Sequence, residues 1–466
     1  MRSVLSARVA GLPASDALLL LPETPRTAAV LGGGRRWRPA LASWGIREAP
    51  ERAADLVVGR PPAVLADGAR PAWVLAPGTD RAGRLRRAGY AVTTYQVRWL
   101  SWHVVTAAAD RRVLALARTT WPAEEGTSAG IRGIVARVLR PKAVTVAVRE
   151  GTPEPGAPAA AGFAGRGACL TVDVENDRRR AVFLVPEAGT DRPRAVVKVQ
   201  RGPGTEDRSA REQRVLASLP PGSATPRPLG AGHAGALRWS AETAVSGRPL
   251  HRVLTRPHEP VRDVLDRLAE WLGDVATATA APTDWTTTGS DDGVVALRGP
   301  AADLRPLLRE LAGVPSVLTH GDLAGGRNVL VDAAARPWVL DWETARERGL
   351  PLLDLLPLLC SSLARASGAD GPQRQAAYVL DLAAGRLPES AWLFDRVFRY
   401  ADRTELPRRR IGRLALLAWG SEASLRPVHD ELRTAAGLPV RPWTSLGECV
   451  LPRWRNELGP DWRSRA

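Results

Sequence analysis

The stretch Val317-Leu318-Thr319-His320-Gly321-Asp322-Leu323-Ala324-Gly325-Gly326-Arg327-Asn328-Val329-Leu330-Val331-Asp332, followed by Trp338-Val339-Leu340-Asp341-Trp342-Glu343, decides how the chain is read. Apolar runs alternate with a polar loop and a short turn, which predicts three strands. His320, Asp322 and Asn328 fall in the loop, and Asp341 ends the third strand. That layout gathers three oxygen-bearing side chains at the ends of neighbouring strands. Phosphoryl transfer asks for such a set: one carboxylate to orient a hydroxyl, then an amide and a second carboxylate to hold Mg2+. The same residues taken singly would also suit the polar hairpin loop of an ordinary α+β domain.

Upstream, Val196-Val197-Lys198-Val199 sets a lysine in mid-strand. Strand alternation puts Val197 and Val199 on the opposite face from Lys198. A lysine aimed inward by an apolar strand requires an anionic partner, phosphate or carboxylate. Thr205 caps a predicted helix running to Leu219, with Glu212 on the same side as Val215 and Leu216. A strand is predicted over 237–245, leading into Ser246-Gly247-Arg248-Pro249-Leu250.

Together, HGDL (320–323), NVLVD (328–332), VLDWE (339–343) and GLPLLDLLPLL (349–359) resemble the aminoglycoside phosphotransferase and choline kinase family, over residues 165 to 430 or so. The resemblance implies an α+β chain: a two-lobed protein-kinase-like fold preceded by a smaller α/β domain. The expected boundaries are 1–125 for an accessory α/β domain, 126–168 for a connecting helix and linker, 169–247 for the N-lobe and 248–466 for the helical C-lobe. By the same resemblance Asp322 meets the acceptor hydroxyl, and Asn328 and Asp341 are the Mg2+ ligands. Lys198 pairs with Glu212, the turn at Asn176 covers the nucleotide phosphates, and backbone from Glu242 to Ala244 meets the adenine edge. ATP is the implied donor, with GTP as the alternative. His320 is expected to brace the loop, and Asp354 to pack near it.

Two features depart from the family pattern. The turn over 175–179 contains no glycine, so its phosphate contacts fall to the amides of Asn176 and Asp177. Five residues, 323–327, separate Asp322 from Asn328, where family members usually have four. Gly325-Gly326 is expected to absorb the extra residue as a bulge, since glycine tolerates the required backbone. Otherwise Asn328 misses the metal.

The chain carries a formal net charge of +16, with 63 arginines against only two lysines, Lys142 and Lys198. Asparagine is as scarce: Asn176, Asn328 and Asn456. Such usage looks like a G- and C-rich genome, so the basic excess is read as codon bias and no nucleic-acid partner is expected. A lysine or asparagine that survives this bias is correspondingly informative, and Lys198 and Asn328 fall at two implied site positions. No apolar run approaches a membrane span; no signal peptide is read, and three scattered cysteines suggest a reducing, cytoplasmic setting.

Short apolar runs at 17–21, 27–31, 55–58, 63–66 and 72–76, with a helical stretch at 81–87, predict a small α/β layer structure. The stretch 85–95 faintly resembles the last strands of S-adenosylmethionine methyltransferases, and a degenerate accessory domain is the favoured reading. A connecting helix is predicted at 128–139, a Pro/Gly/Ala-rich linker at 151–167, and strands at 169–174, 180–185 and 195–200. Residues 260–277 keep helical spacing of apolar positions, and 278–299 reads as an exposed excursion. Helices follow at 373–384, 390–401, 408–419 and 427–436. Their arginines, Arg396 to Arg413, favour a neutral or anionic acceptor such as a sugar or biosynthetic intermediate over a polycationic one. The expected activity is transfer of phosphate to the hydroxyl of a small-molecule acceptor, with no membrane partner. The alternative is a pseudokinase-like nucleotide-binding or scaffold module.

Overall fold

The computed structural model describes residues 8–9, 12–13, 26–31, 37–43, 46–50, 53–59, 71–77, 82–99, 102–107, 142–149, 169–173, 180–187, 193–200, 206–220, 222–234, 237–255, 261–285, 295, 297–435 and 444–462. The chain divides into two compact units, one of residues 1–209 with 227–244, the other of 210–226 with 245–466. The predicted strands at 17–21 and 63–66, the helix at 128–139 and the linker at 151–167 lie outside the described residues.

In the first unit, Arg8–Val9 (β1) and Leu12–Pro13 (β2) form a minimal antiparallel pair. The remaining strands in chain order are Thr27–Leu31 (β3), Arg47–Glu48 (β4), Leu56–Gly59 (β5), Trp73–Pro77 (β6), Tyr90–Trp99 (β7), Trp102–Ala107 (β8) and Lys142–Arg149 (β9). Cys169–Asp173 (β10), Arg180–Pro186 (β11), Pro193–Gln200 (β12), Pro228–Ala234 (β13) and Leu237–Thr243 (β14) complete the set. All twelve from β3 onward belong to one sheet, ordered β13-β14-β12-β11-β10-β8-β7-β9-β6-β5-β3-β4. β3 to β6 pair in parallel and the rest antiparallel. Leu56, Val57 and Val58 are all fully buried, as expected of a parallel strand covered on both faces. The short helices Arg38–Ser43 (α1) and Ala82–Arg87 (α2) follow β3 and β6. The seam between the sequence-predicted accessory strands and the 169–200 meander is β8 against β10, from Trp102↔Asp173 to Val105↔Leu170.

Helix Glu206–Ser218 (α3) spans the division between the units at residue 209. The second unit then holds Arg248–Pro249 (β15), Leu250–Val253 (α4), Val261–Thr279 (α5), Val317–Thr319 (β16), Val329–Val331 (β17), Pro337–Val339 (β18) and Arg346–Gly349 (β19). Helices Leu355–Ala366 (α6), Pro372–Ala383 (α7), Ser390–Arg403 (α8), Ile411–Ala435 (α9) and Leu446–Glu457 (α10) enclose one leucine- and tryptophan-rich core.

Several elements differ from the sequence reading. Among the described residues of 278–299, the expected exposed excursion is interrupted: Trp285, Val295 and Leu297 are buried, and the Trp285 indole donates to the Val314 carbonyl at 2.6 Å. One buried indole outweighs the polar residues around it. The two helices expected around 408–436 are one continuous helix, α9, that runs through Pro427. Its apolar face packs against the 3-10 segment Gly299–Glu310 and against α10, and that burial offsets the hydrogen bond Pro427 removes. α10 itself was missed although its start is written in the sequence: Ser445 accepts from the Glu448 amide at 3.1 Å and Glu448 accepts from the Ser445 amide at 3.0 Å, a capping box. Among the described residues, no helix is long and apolar enough to cross a membrane.

Candidate active site

The loop 320–328 is positioned by two different pairings. β16 runs antiparallel to β19, where Gly349 lies so close to Thr319 that a Cβ would fall 2.1 Å from its hydroxyl. β17 pairs instead with β18, placing Val329 opposite Val339. The Leu340 amide donates to the Asn328 carbonyl at 2.8 Å, so Asn328 and Asp341 emerge at the same end of that hairpin. Asp341 adopts φ 64° and ψ 59°, a left-handed backbone that few residues other than glycine, asparagine and aspartate tolerate.

His320 ties the two halves together. It is buried, and its Nε2 lies 2.7 Å from the Leu340 carbonyl, one residue before Asp341. The Asp322 amide donates to its Nδ1 at 3.3 Å. A carbonyl can only accept, so Nε2 carries the proton and Nδ1 the lone pair. The Trp342 ring stands 4.8 Å from the imidazole, centroid to centroid, and the Thr344 hydroxyl donates to the His320 carbonyl at 2.9 Å. Behind the loop, Asp354 at the start of α6 accepts from the His320 amide at 2.6 Å and the Gly321 amide at 2.8 Å. The predicted bracing roles of His320 and Asp354 have specific partners here.

The loop turns at Gly326. Its φ is 61°, and its amide donates to the Leu323 carbonyl at 2.9 Å, closing a turn that a side chain would strain. Asn328 remains in register: its Nδ2 donates to the Asp322 carbonyl at 2.9 Å and to the Asp322 carboxylate at 3.0 Å. With the amide nitrogen so engaged, its Oδ1 and the Asp341 carboxylate are hard oxygen donors, a set that fits Mg2+, an ion that keeps several waters and phosphate oxygens of its own.

Solvent reaches the Asp322 side chain, yet the protein packed around it withdraws enough water to raise its carboxyl above the ordinary range. The Asp341 carboxylate adds to that rise, while His320, the Asn328 hydrogen bond and Arg327 oppose it. Glu422, on α9, is pushed up to about 8 by burial first and then by the charges of Asp322 and Asp354. Sequence reasoning missed Glu422, which lies 100 positions from Asp322 and carries no local signal.

In the first unit, Lys198 is buried in β12 and its Nζ lies 3.0 Å from the Glu242 carboxylate of β14. The register places Lys198 opposite Ser240, so this contact is diagonal across the strand pair. The sequence reading used only the backbone of Glu242 and did not foresee this contact of its side chain. Glu212 is fully buried on α3. The Ala244 amide donates to the Arg194 carbonyl at 3.0 Å, continuing the β12–β14 ladder past its last residue. Asn176 lies outside the described residues.

Asp322, Asn328 and Asp341 are thus carried on an α+β scaffold, in a region braced through His320 and Asp354. Residues 173–398 match the family model described as the phosphotransferase enzyme family. Among solved structures, the aminoglycoside phosphotransferase APH(3'')-Id from Streptomyces rimosus ATCC10970 is similar at 16% identity, covering 55% of this chain and 95% of its own, with a TM-score of 0.35. An aminoglycoside-3'-phosphotransferase of type VIII aligns at 21% identity over 53% of this chain and 96% of its own, with a TM-score of 0.29. The bifunctional kinase-methyltransferase WbdD aligns at 13% identity over 84% of this chain and 87% of its own, with a TM-score of 0.26. No curated protein matches the chain.

Proposed function

We propose that the chain is an ATP-dependent O-phosphotransferase, with GTP as the alternative donor, acting on the hydroxyl of a small molecule. The observation that carries this reading is the double engagement of His320, which fixes the backbone of Asp322 and that of Leu340, beside Asp341, through one buried ring. A spatially locked pair of carboxylates is what in-line phosphoryl transfer uses, because positioning supplies most of its catalysis. Asp322 accepts the acceptor hydroxyl's hydrogen bond. The hydroxyl oxygen bonds to the terminal phosphorus, the bond to the bridging oxygen of the nucleoside diphosphate breaks, and the hydroxyl proton passes to the Asp322 carboxylate. A carboxyl held above its ordinary range retains that proton better. Asn328 and Asp341 would hold Mg2+, which supplies neutralising charge to phosphate oxygens. Lys198 is assigned to phosphate, with Glu242 as the carboxylate that holds it in the meantime.

Residues 1–125 are assigned as an accessory α/β part, 126–168 as its connection, and the two free thiols described, Cys360 and Cys449, accord with a reducing cytoplasmic setting. The rival reading is a pseudokinase-like scaffold, favoured by one observation: Lys198 already has its charge satisfied by a buried carboxylate. A thermal shift separates the two. Mg-ATP at about 100-fold over its dissociation constant should add roughly 2.7 kcal/mol of stability to a binder. Absence of any shift with Mg-ATP or Mg-GTP sinks the transferase reading. Asp341→Ala should then weaken Mg-nucleotide binding, whereas Asp322→Ala should leave it nearly intact and lower the rate of transfer to a responsive acceptor.

A further inference from the structure

The loop residue Arg327 is met by two elements besides its own strand. α4 reaches the turn through the His251 amide, which donates to the Gly326 carbonyl at 3.4 Å, and a Cβ on Gly326 would meet the His251 nitrogen at 3.4 Å. α6 reaches it through Ser361, whose hydroxyl donates to the Ala324 carbonyl. Arg365 lies four residues on from Ser361, one turn along the same helix face, so it projects beside the loop. Among the described residues, neither Arg327 nor Arg365 has a carboxylate within ion-pair distance. The His251 Nδ1 is buried without a hydrogen-bond partner. Three cationic or proton-accepting groups therefore converge with no carboxylate in ion-pair contact with either arginine.

We infer that Arg327, Arg365 and His251 form an oxyanion site beside Asp322, and that its ligand is a phosphate or carboxylate carried by the acceptor. This rests on the transferase reading above and adds the acceptor's charge to it. Two guanidinium forks suit a tetrahedral or planar oxyanion, and Arg is the residue that binds such groups bidentately. The groups feel one another: burial and then Arg327 lower the Arg365 pKa, with Asp370 opposing, and burial followed by Arg365, Arg327 and Arg252 holds His251 down to about 4. An arriving oxyanion would relieve that mutual repulsion. The turn closed by the Gly326 amide on the Leu323 carbonyl at 2.9 Å, and the Asn328 bond to the Asp322 carboxylate at 3.0 Å, keep Arg327 and Asp322 in one short loop, which puts the bound anion on the acceptor side of the reaction.

The test uses the full chain and inorganic phosphate as probe, titrated with the nucleotide site saturated by a non-hydrolysable Mg-ATP analogue. Phosphate should bind the parent under these conditions, and Arg365→Ala should weaken it at least tenfold while the melting temperature stays close to the parent's. Arg365→Lys, which keeps the charge and loses the fork, should fall between. Failure of phosphate to bind once the analogue is present, with Arg365→Ala instead weakening the analogue, assigns the cluster to the nucleotide and overturns the inference. Equal phosphate affinity in the parent and Arg365→Ala overturns it as well. A second arm compares transfer from labelled ATP to sugars, to their phosphates and to sugar acids. Anionic acceptors should show the lower KM, and Arg365→Ala should raise that KM without a matching fall in kcat. Transfer confined to neutral sugars would refute the anion site and leave the transferase standing, whereas phosphate binding without transfer to any acceptor would do the reverse.

Discussion

On the outer helices of the second unit, arginines are matched with acids: Arg396 lies 3.0 Å from Asp266 and Arg413 2.6 Å from Glu310, and Arg403 pairs with Asp274. Beside the loop 320–328, Arg327 and Arg365 face each other's charge instead. Both regions carry arginines in the sequence. In the first, carboxylates on α5 at positions 266, 270 and 274 recur every four residues and meet the basic face of α8. The cavity there, of about 370 Å³, is lined by both signs, including Glu270, Asp274, Arg396 and Arg399. The count of arginines thus says little about where an anion would bind. What matters is whether the fold brings an acid to each one, and on those helices Arg396, Arg403 and Arg413 have acids beside them.

The largest effect should come from the loop. Replacing Asp322 by Asn should lower transfer on the order of a hundredfold or more with nucleotide affinity nearly unchanged. Arg403→Ala, on the matched helices, should leave transfer unaltered. Steady-state rates paired with nucleotide titrations measure both, and a comparable loss in the two variants would erase the distinction between the regions.

Next comes His320→Ala. It removes a buried ring bonded through both nitrogens, and chemical denaturation should show a loss of about 2–4 kcal/mol. A loss below about 1 kcal/mol would mean that the ring does not hold the loop.

Glu422 sharpens the comparison through pH. Its folded value, about 8, stands above the unfolded 4.5, so between these the native state holds one more proton than the unfolded state. Stability from this group is therefore present below about 4.5 and falls as pH rises toward 8, by at most about 1.4 kcal/mol per unit. Glu422→Gln should flatten the decline, raising the melting temperature at pH 8 and leaving it unchanged at pH 4. An identical pH profile in the variant would contradict the assigned burial.

The smallest effect is expected where charges are matched and wet. Arg403→Ala should cost no more than about 1 kcal/mol, and high salt should shrink the difference. Should it cost several times that, the α5–α8 ladder is a structural core and not a solvated face.

The sequence by itself determined the strand, loop and hairpin around Asp322, Asn328 and Asp341, because each depends on residues close in the chain: apolar runs, a polar turn, and a glycine able to take φ 61° at position 326. It also placed Lys198 in an apolar strand. Only the tertiary structure brought the Glu242 side chain to that lysine, through the pairing of β12 with β14, 44 residues apart. The same holds for Trp285 in the core, for α9 running on through Pro427, and for Glu422, Arg365 and His251 gathering about the loop. Local propensity and periodicity act over a few residues, whereas burial and charge pairing depend on which distant segments the fold brings together.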